Sequence, residues 1–160
     1  MTDKRQPVQA FTIKSICLAK EILTDAWVSD AYDPNEILLD SPNEIKVAAV
    51  WDTGATRTVI SMDLAKQLKL VPTGIASYDH AGGSSGCNTY IINVTLPNNV
   101  RVEGLKVFEA LTPGCDVLIG MDIITLGDFA LTHRCGESCF SFRTPSLVEI
   151  DFLATEDTFN

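Results

Sequence analysis

Residues 46–61 read KVAAVWDTGATRTVIS. From Ile45 to Trp51 the chain is apolar apart from Lys46, the pattern of an interior strand, and it stops on Asp52-Thr53-Gly54. A carboxylate at the end of a covered strand, followed at once by a tight turn, has two readings. The turn is a simple reversal of the chain, or the acid is held in a dry place for chemistry. An acid acting as general base on water needs low dielectric and a partner that splits its protonation from the free value. Two carboxyls sharing one proton meet that need: the ionised one takes a proton from water and the protonated one polarises a carbonyl. The Asp-Thr-Gly turn suits such a pair. Thr53 brings a hydroxyl to brace the turn, the Gly54 N–H can point at the carboxylate, and the missing side chain of Gly54 leaves room for a second loop. Ala55 keeps the next position small.

Composition narrows the alternatives. The 160 residues allow one domain with a real core, and 46% hydrophobic with 21% charged residues is ordinary for a globular chain. The formal net charge of −9 argues against nucleic acid and against an anionic membrane surface, both of which call for clustered Lys and Arg. The N-terminal stretch lacks the apolar core of a signal peptide, and no run is long enough to span a bilayer. Five cysteines, an odd number, read as free thiols in a reducing compartment, so a cytoplasmic location is expected.

Most of the chain reads as short strands between turns. Val8–Lys14 is a first strand. Residues 15–43, with Trp27, Tyr32 and two X-Pro steps, read as a hairpin or long excursion. After the Asp52 turn, RTVIS is extended, and SMDLAKQLKL gives the one strong helix signal. Ser61 is its cap, Asp63 sits at its positive end, and Leu64, Ala65, Leu68 and Met62 form its apolar stripe. The helix is expected to end at Pro72–Gly74. A Gly/Ser-rich loop, Tyr78–Cys87, leads into YIINVTL, which places Tyr90, Ile92, Val94 and Leu96 on one face. VRVEGLKVFEA reads as a strand pair or one bent strand, DVLIG as a short apolar strand, Met121 as the start of a short helix, and FALTHRCGESCFSF as a hairpin around Gly136-Glu137.

The run DVLIGMDII adds a second signal: Leu118 and Ile119 lead into Gly120, and such a run can pack beneath the Asp52 turn. WDTGAT followed later by VLIGMDII resembles the retropepsin family, the retroviral-type aspartic proteases and their cellular and bacterial relatives, over roughly Ile45 to Phe142; the wording is similar to bacterial and phage-borne members. The resemblance implies an all-β, closed barrel with one or two short helices and an active site at a C2 dimer interface. It implies that Asp52 is the catalytic carboxylate, that Thr53 makes an inter-subunit hydroxyl grip, and that Gly54 and Ala55 line the substrate main chain. Gly120 closes a ψ-shaped loop, Ile119 beside it touches substrate, and Gly82 and Gly83 form the tip of a flap. Retroviral members carry an acid two positions after the Asp-Thr-Gly glycine and an arginine just after the ψ-loop glycine. Thr56 and Met121 stand there here, so both partners of that pair are replaced together.

One Asp-Thr-Gly in a chain of this length implies a homodimer, with Asp52 and its symmetry mate on the axis. The family shares a sheet between subunit termini, and PVQAFTIK and SCFSFR are the expected contributors. The expected organisation is a single domain over 1–160: a core at about 45–142, the excursion at about 15–43 and a tail at about 143–160. The implied activity is hydrolysis of an extended peptide, with no cofactor, nucleic acid or membrane. A dimeric peptide-binding module of the same fold with weak or no hydrolysis is the alternative. His133, Cys135 and Cys139 supply three metal ligands and no clear fourth, so a hairpin with two thiols is favoured over zinc. Asp122 reads as a helix-start residue, His80 as a polar loop residue, and Trp51 as core or a wall beside the site.

Overall fold

The structure is a computed structural model, and it describes residues 8–32, 43–80 and 83–153. These form strands β1 (Gln9–Ser15), β2 (Ile22–Asp30), β3 (Ile45–Trp51) and β4 (Val59–Ser61), then helix α1 (Met62–Gln67). Strands β5 (Gly74–His80), β6 (Gly83–Leu96), β7 (Val100–Ala110) and β8 (Val117–Ile119) follow, then helix α2 (Met121–Ile124) and strands β9 (Asp128–Arg134) and β10 (Glu137–Thr144).

Six strands close a barrel in the order β2-β3-β8-β4-β7-β6, with β6 pairing back onto β2. The length of β6 makes this possible. Its residues Ile92–Thr95 pair with β2, while Gly83–Thr89 pair with β5. Pairing of β6 with β7 begins only at Thr89, so the β5–β6 hairpin extends beyond the barrel wall. The expected alternation holds along this strand: Tyr90, Ile92, Val94 and Leu96 are all buried. β7 is one bent strand. The register with β6 shifts between Ile92 and Val94, and the slack is taken up at Gly104, whose φ is +64°. The side-chain Oδ1 of buried Asn93 accepts the Gly104 N–H at 2.8 Å, so the bulge leaves that donor satisfied.

A second sheet, β1-β10-β9, lies against the open end of the barrel through an aromatic cluster. Trp51 packs on Phe140 and Phe142 with ring centroids 5.0 and 5.1 Å apart, and Phe11 and Phe129 complete the set. β9 and β10 turn at Cys135-Gly136, one residue earlier than expected. Both residues take positive φ (55° and 82°), the pairing that a two-residue hairpin turn demands.

The segment expected as an excursion contains a barrel strand. β2 turns Thr24, Ala26, Val28 and Ser29 inward, a small and partly polar set that carries no strong hydrophobic alternation. Thr24 is accommodated because its hydroxyl accepts the Trp51 indole N–H at 3.0 Å. Residues 33–42 of that segment lie outside the described residues. α1 has the expected cap, with the Leu64 N–H bonded to Ser61 Oγ at 3.0 Å. Leu64, Ala65 and Leu68 are buried, but Met62 is 41% exposed and leaves the stripe. The helix ends at Leu68 and a left-handed Lys69, before Pro72 is reached.

β1 and β10, expected in a sheet shared between subunits, pair with each other inside one chain, from Gln9↔Thr144 to Ser15↔Ser138. β10 has β9 on its other side, so neither of its edges is open to a partner.

Candidate active site

Asp52 is placed by the barrel. β3 runs parallel to β8, pairing Trp51 with Ile119, and the Asp52 N–H continues that ladder to the Ile119 carbonyl at 2.9 Å. Val117 and Ile119 are fully buried, so the ladder beneath the aspartate is shielded from water. The chain then reverses, with the Ala55 N–H on the Asp52 carbonyl at 3.2 Å. Inside the turn, the Gly54 N–H donates to Asp52 Oδ1 at 2.8 Å, which sets the plane of the carboxylate. A Cβ on Gly54 would sit 3.1 Å from that same oxygen, so a side chain there would press on the acid. Asp52 itself is half-buried.

The chain crosses itself at Gly120. The Met121 N–H donates to the Ala55 carbonyl at 2.8 Å, and the Gly120 N–H donates to Thr58 Oγ1 at 3.2 Å. No other residue type fits at 120: a Cβ would lie 2.5 Å from the Arg57 carbonyl carbon and 2.9 Å from the Ala55 carbonyl oxygen. At Gly120, backbone thus crosses backbone with no room for a side chain between them.

Asp122 and Thr58 hold this crossing together, a role that sequence reading missed. The Thr58 N–H reaches both Asp122 oxygens, at 3.0 and 2.9 Å, and the Thr58 hydroxyl donates to Asp122 Oδ1 at 2.7 Å. Asp122 also stands in the first turn of α2, as its helix-start reading requires. Asp122 is two residues beyond Gly120 and Thr58 is six beyond Asp52, but with 64 residues between the two nothing local in the sequence pairs them. With Thr56 and Met121 in place of the retroviral acid and arginine, an acid–threonine clamp braces the crossing from two positions beyond Thr56 and one beyond Met121. Trp51 proves to be core, buried in the aromatic cluster, and not a wall of the site.

A cleft of about 490 Å³ opens beside the turn. Gly54, Ala55 and Thr56 form one side, Ser77 of β5 stands over it, and Phe108 and Ala110 of β7 close the far wall. Next to that wall, Glu109 accepts the Tyr90 hydroxyl and an Asn88 amide N–H. Burial first, and then the Glu109 hydrogen bond and charge, push the Tyr90 phenol above its ordinary pKa. Burial, with the Glu109 charge, does the same to the Cys87 thiol. The base of the β5–β6 hairpin is therefore tied to β7, beside the cleft, by the hydrogen bonds of Tyr90 and Asn88 to Glu109.

The predicted site residues divide. Asp52, Gly54 and Gly120 come together at the crossing, and Gly54 and Ala55 line the cleft. Thr53 is exposed. Ile119, expected to touch substrate, is fully buried in the ladder under Asp52, and its side chain serves the core. Gly83 begins β6, pairing with His80. Gly82 lies outside the described residues. His133, weighed as a metal ligand, shares a 2.8 Å hydrogen bond with Ser138 across the β9–β10 hairpin, and Cys135 and Cys139 are free thiols.

A closed barrel with an Asp-Thr-Gly turn seated on a crossed glycine loop defines the retropepsin-like class of aspartic proteases. Family comparison agrees: the model of the gag-polyprotein putative aspartyl proteases matches residues 41–125, just over half the chain and both motifs, and the chain belongs to that family. Among solved structures, the chain is similar in fold to a retropepsin-like aspartic protease from Rickettsia conorii. That match has TM-score 0.53 and 16% identity, and covers 86% of this chain and 96% of that one. A foamy viral protease-reverse transcriptase in complex with an RNA/DNA hybrid also matches, with TM-score 0.42 and 20% identity over 62% of this chain and 11% of that one. No curated protein matches the chain. Among the described residues, no helix is long and apolar enough to cross a membrane.

Proposed function

We propose that the chain is a single-domain aspartic endopeptidase that works as a homodimer, with Asp52 and its symmetry mate as the catalytic pair. The observation that carries this is the Asp52 turn itself. A half-buried carboxylate accepts the Gly54 N–H, above a ladder whose Val117 and Ile119 are fully buried, in the turn whose Gly54 and Ala55 line a cleft of about 490 Å³. One chain supplies one such acid, and a twofold axis at the turn supplies the second. Gly54 lets the two loops approach, and Thr53, exposed beside it, is the side chain available to bridge them.

The chemistry then follows from the pair. One carboxylate and one carboxylic acid share a proton between them and hold a water. The ionised group takes a proton from that water as its oxygen attacks the peptide carbonyl carbon, and the neutral group gives its proton to the carbonyl oxygen. The tetrahedral diol then collapses: one of its hydroxyls gives its proton to the carboxylate that is now ionised, the C–N bond breaks, and the nitrogen receives the proton of the neutral acid, so the pair again holds a single proton. The substrate lies extended, with its main chain against Gly54 and Ala55 and under the β5–β6 hairpin as a flap, since sheet-like pairing reads backbone and requires an unfolded segment.

The test is peptide cleavage by the purified chain with and without a statine-type mimic of the diol, alongside Asp52→Asn. Inhibition by the mimic, together with loss of cleavage in the variant while the dimer persists in sedimentation, is the expected result. Unchanged cleavage by Asp52→Asn sinks the assignment. A dimer that binds the mimic and cleaves nothing supports the binding-module alternative instead.

A further inference from the structure

We infer that Arg57 is a specificity-determining residue, which makes the cleft select peptides carrying an acidic side chain close to the scissile bond. The inference rests on the reading of this cleft as a peptide-binding site and names the substrate class it takes. The cleft walls are neutral: Ala55, Val59, Phe108 and Ala110 are apolar, and Thr56 and Ser77 are uncharged. Arg57 is the one charged side chain among the described residues that line it.

Three features make this cation a recognition element. Its backbone is fixed. The Arg57 carbonyl packs on Gly120, where a Cβ would stand 2.7 Å from its oxygen, and the next amide, that of Thr58, is clamped on Asp122. Its side chain is uncommitted. The ion pairs among the described residues are Lys46–Asp25, Lys66–Asp63 and Arg143–Asp128, and Arg57 is exposed and outside all of them. The nearby acids are already engaged, Asp122 by Thr58 and Asp52 by Gly54. An unpaired guanidinium on a fixed backbone, lining an otherwise neutral cleft in a chain of net charge −9, is a local exception to the protein's own field. A guanidinium presents a planar fork of donors that matches a carboxylate in two hydrogen bonds, and a rigid backbone beneath it lowers the ordering cost of making them. In a twofold dimer a second Arg57 stands on the other side of the dyad, so the preference falls on both sides of the cleaved bond.

The test uses matched peptides with blocked, uncharged ends, in which a single Glu, Gln or Lys is moved through the positions flanking the cleaved bond. Glu over Gln is expected to raise kcat/KM about tenfold at one position on each side, near the lower end for a charge-assisted hydrogen bond at a partly exposed site. The ratio is expected to shrink with added salt. Arg57→Gln flattens the ratio, and Arg57→Glu turns it over to favour Lys. The same three ratios, read as binding of statine-type peptides to Asp52→Asn, decide the matter without turnover. A chain that cleaves nothing but binds the Glu mimic preferentially therefore keeps this inference and loses the proposed activity. Equal handling of Glu and Gln by the unmodified protein in both assays overturns it, as does an acid preference that survives in Arg57→Glu. Failure to bind any of these peptides overturns the inference and the peptide-cleft reading together.

Discussion

Thr58 satisfies three partners from one buried position: both oxygens of Asp122 through its N–H and hydroxyl, and the Gly120 N–H through the same hydroxyl. Replacing it by valine keeps the shape and removes the hydroxyl, which leaves the Gly120 N–H and one Asp122 contact without partners. Thr58→Val is expected to lower stability by about 1–3 kcal/mol in denaturant unfolding. Gly120→Ala should be worse, because the new methyl meets the Arg57 backbone at 2.5 Å and backbone cannot swing away. Its expected outcome is little folded protein, seen as loss of the cooperative transition. Legibility at this scale was uneven. Asp52 and Gly54 were readable because the turn and the N–H within it are local, and Gly120 drew notice only through the family resemblance of its motif, since its crossing partners lie 62 or more residues away. Asp122 and Thr58 were not, because 64 residues separate them and only the fold brings them together.

At the scale of elements, Asp128 anchors the chain after β10. Its carboxylate pairs with Arg143, accepts the Ser146 hydroxyl at 2.6 Å and accepts the Leu147 N–H at 2.9 Å. The Ser146 and Leu147 hydrogen bonds, with the Arg143 charge, hold it well below its usual range, at about 2. A depressed carboxylate pKa stabilises the folded state fully above the unfolded value of about 3.9 and loses that contribution as pH falls through the folded one. Acid titration followed by amide exchange should therefore loosen residues 145–148 between about pH 4 and pH 2. Asp128→Asn should show the same loosening already at neutral pH. Gly127 beside it packs on the Arg143 carbonyl so closely that any side chain would overlap that oxygen. The hairpin turn, the α1 cap and the β6 alternation were readable from sequence because each is encoded within a few residues. β2 was not, since its inward face is Thr24, Ala26, Val28 and Ser29, and its polar members become acceptable only once Trp51 and the closed barrel surround them.

For the molecule as a whole, the second copy is the decisive matter. β10 is paired on both edges, and β1 is braced by Asn98, whose amide donates to the Ala10 carbonyl at 2.8 Å. What remains on the surface after β10 is a segment with exposed Leu147, Val148 and Ile150. Removing residues 145–160 is expected to shift the proposed dimer toward monomer in sedimentation and to abolish the proposed cleavage with it. A truncated chain that stays dimeric and active would place the interface elsewhere. Within each copy, Phe142→Ala should cost about 3–5 kcal/mol, because Phe142 is a fully buried ring joining the outer sheet to Trp51.

The sequence by itself determined the things that depend on neighbours along the chain. These are the interior strand that ends on Asp52, the glycine whose N–H bonds its carboxylate, and the family that the two motifs mark. Tertiary structure decided what depends on distance: the Thr58–Asp122 clamp, the burial of Ile119, the barrel role of β2, and the standing of Arg57 as the one charge among the described residues that line the cleft. The physical reason is that backbone geometry and turn chemistry are properties of a few consecutive residues. Burial and hydrogen-bond partnership are instead set by whichever remote segment closes the barrel over them.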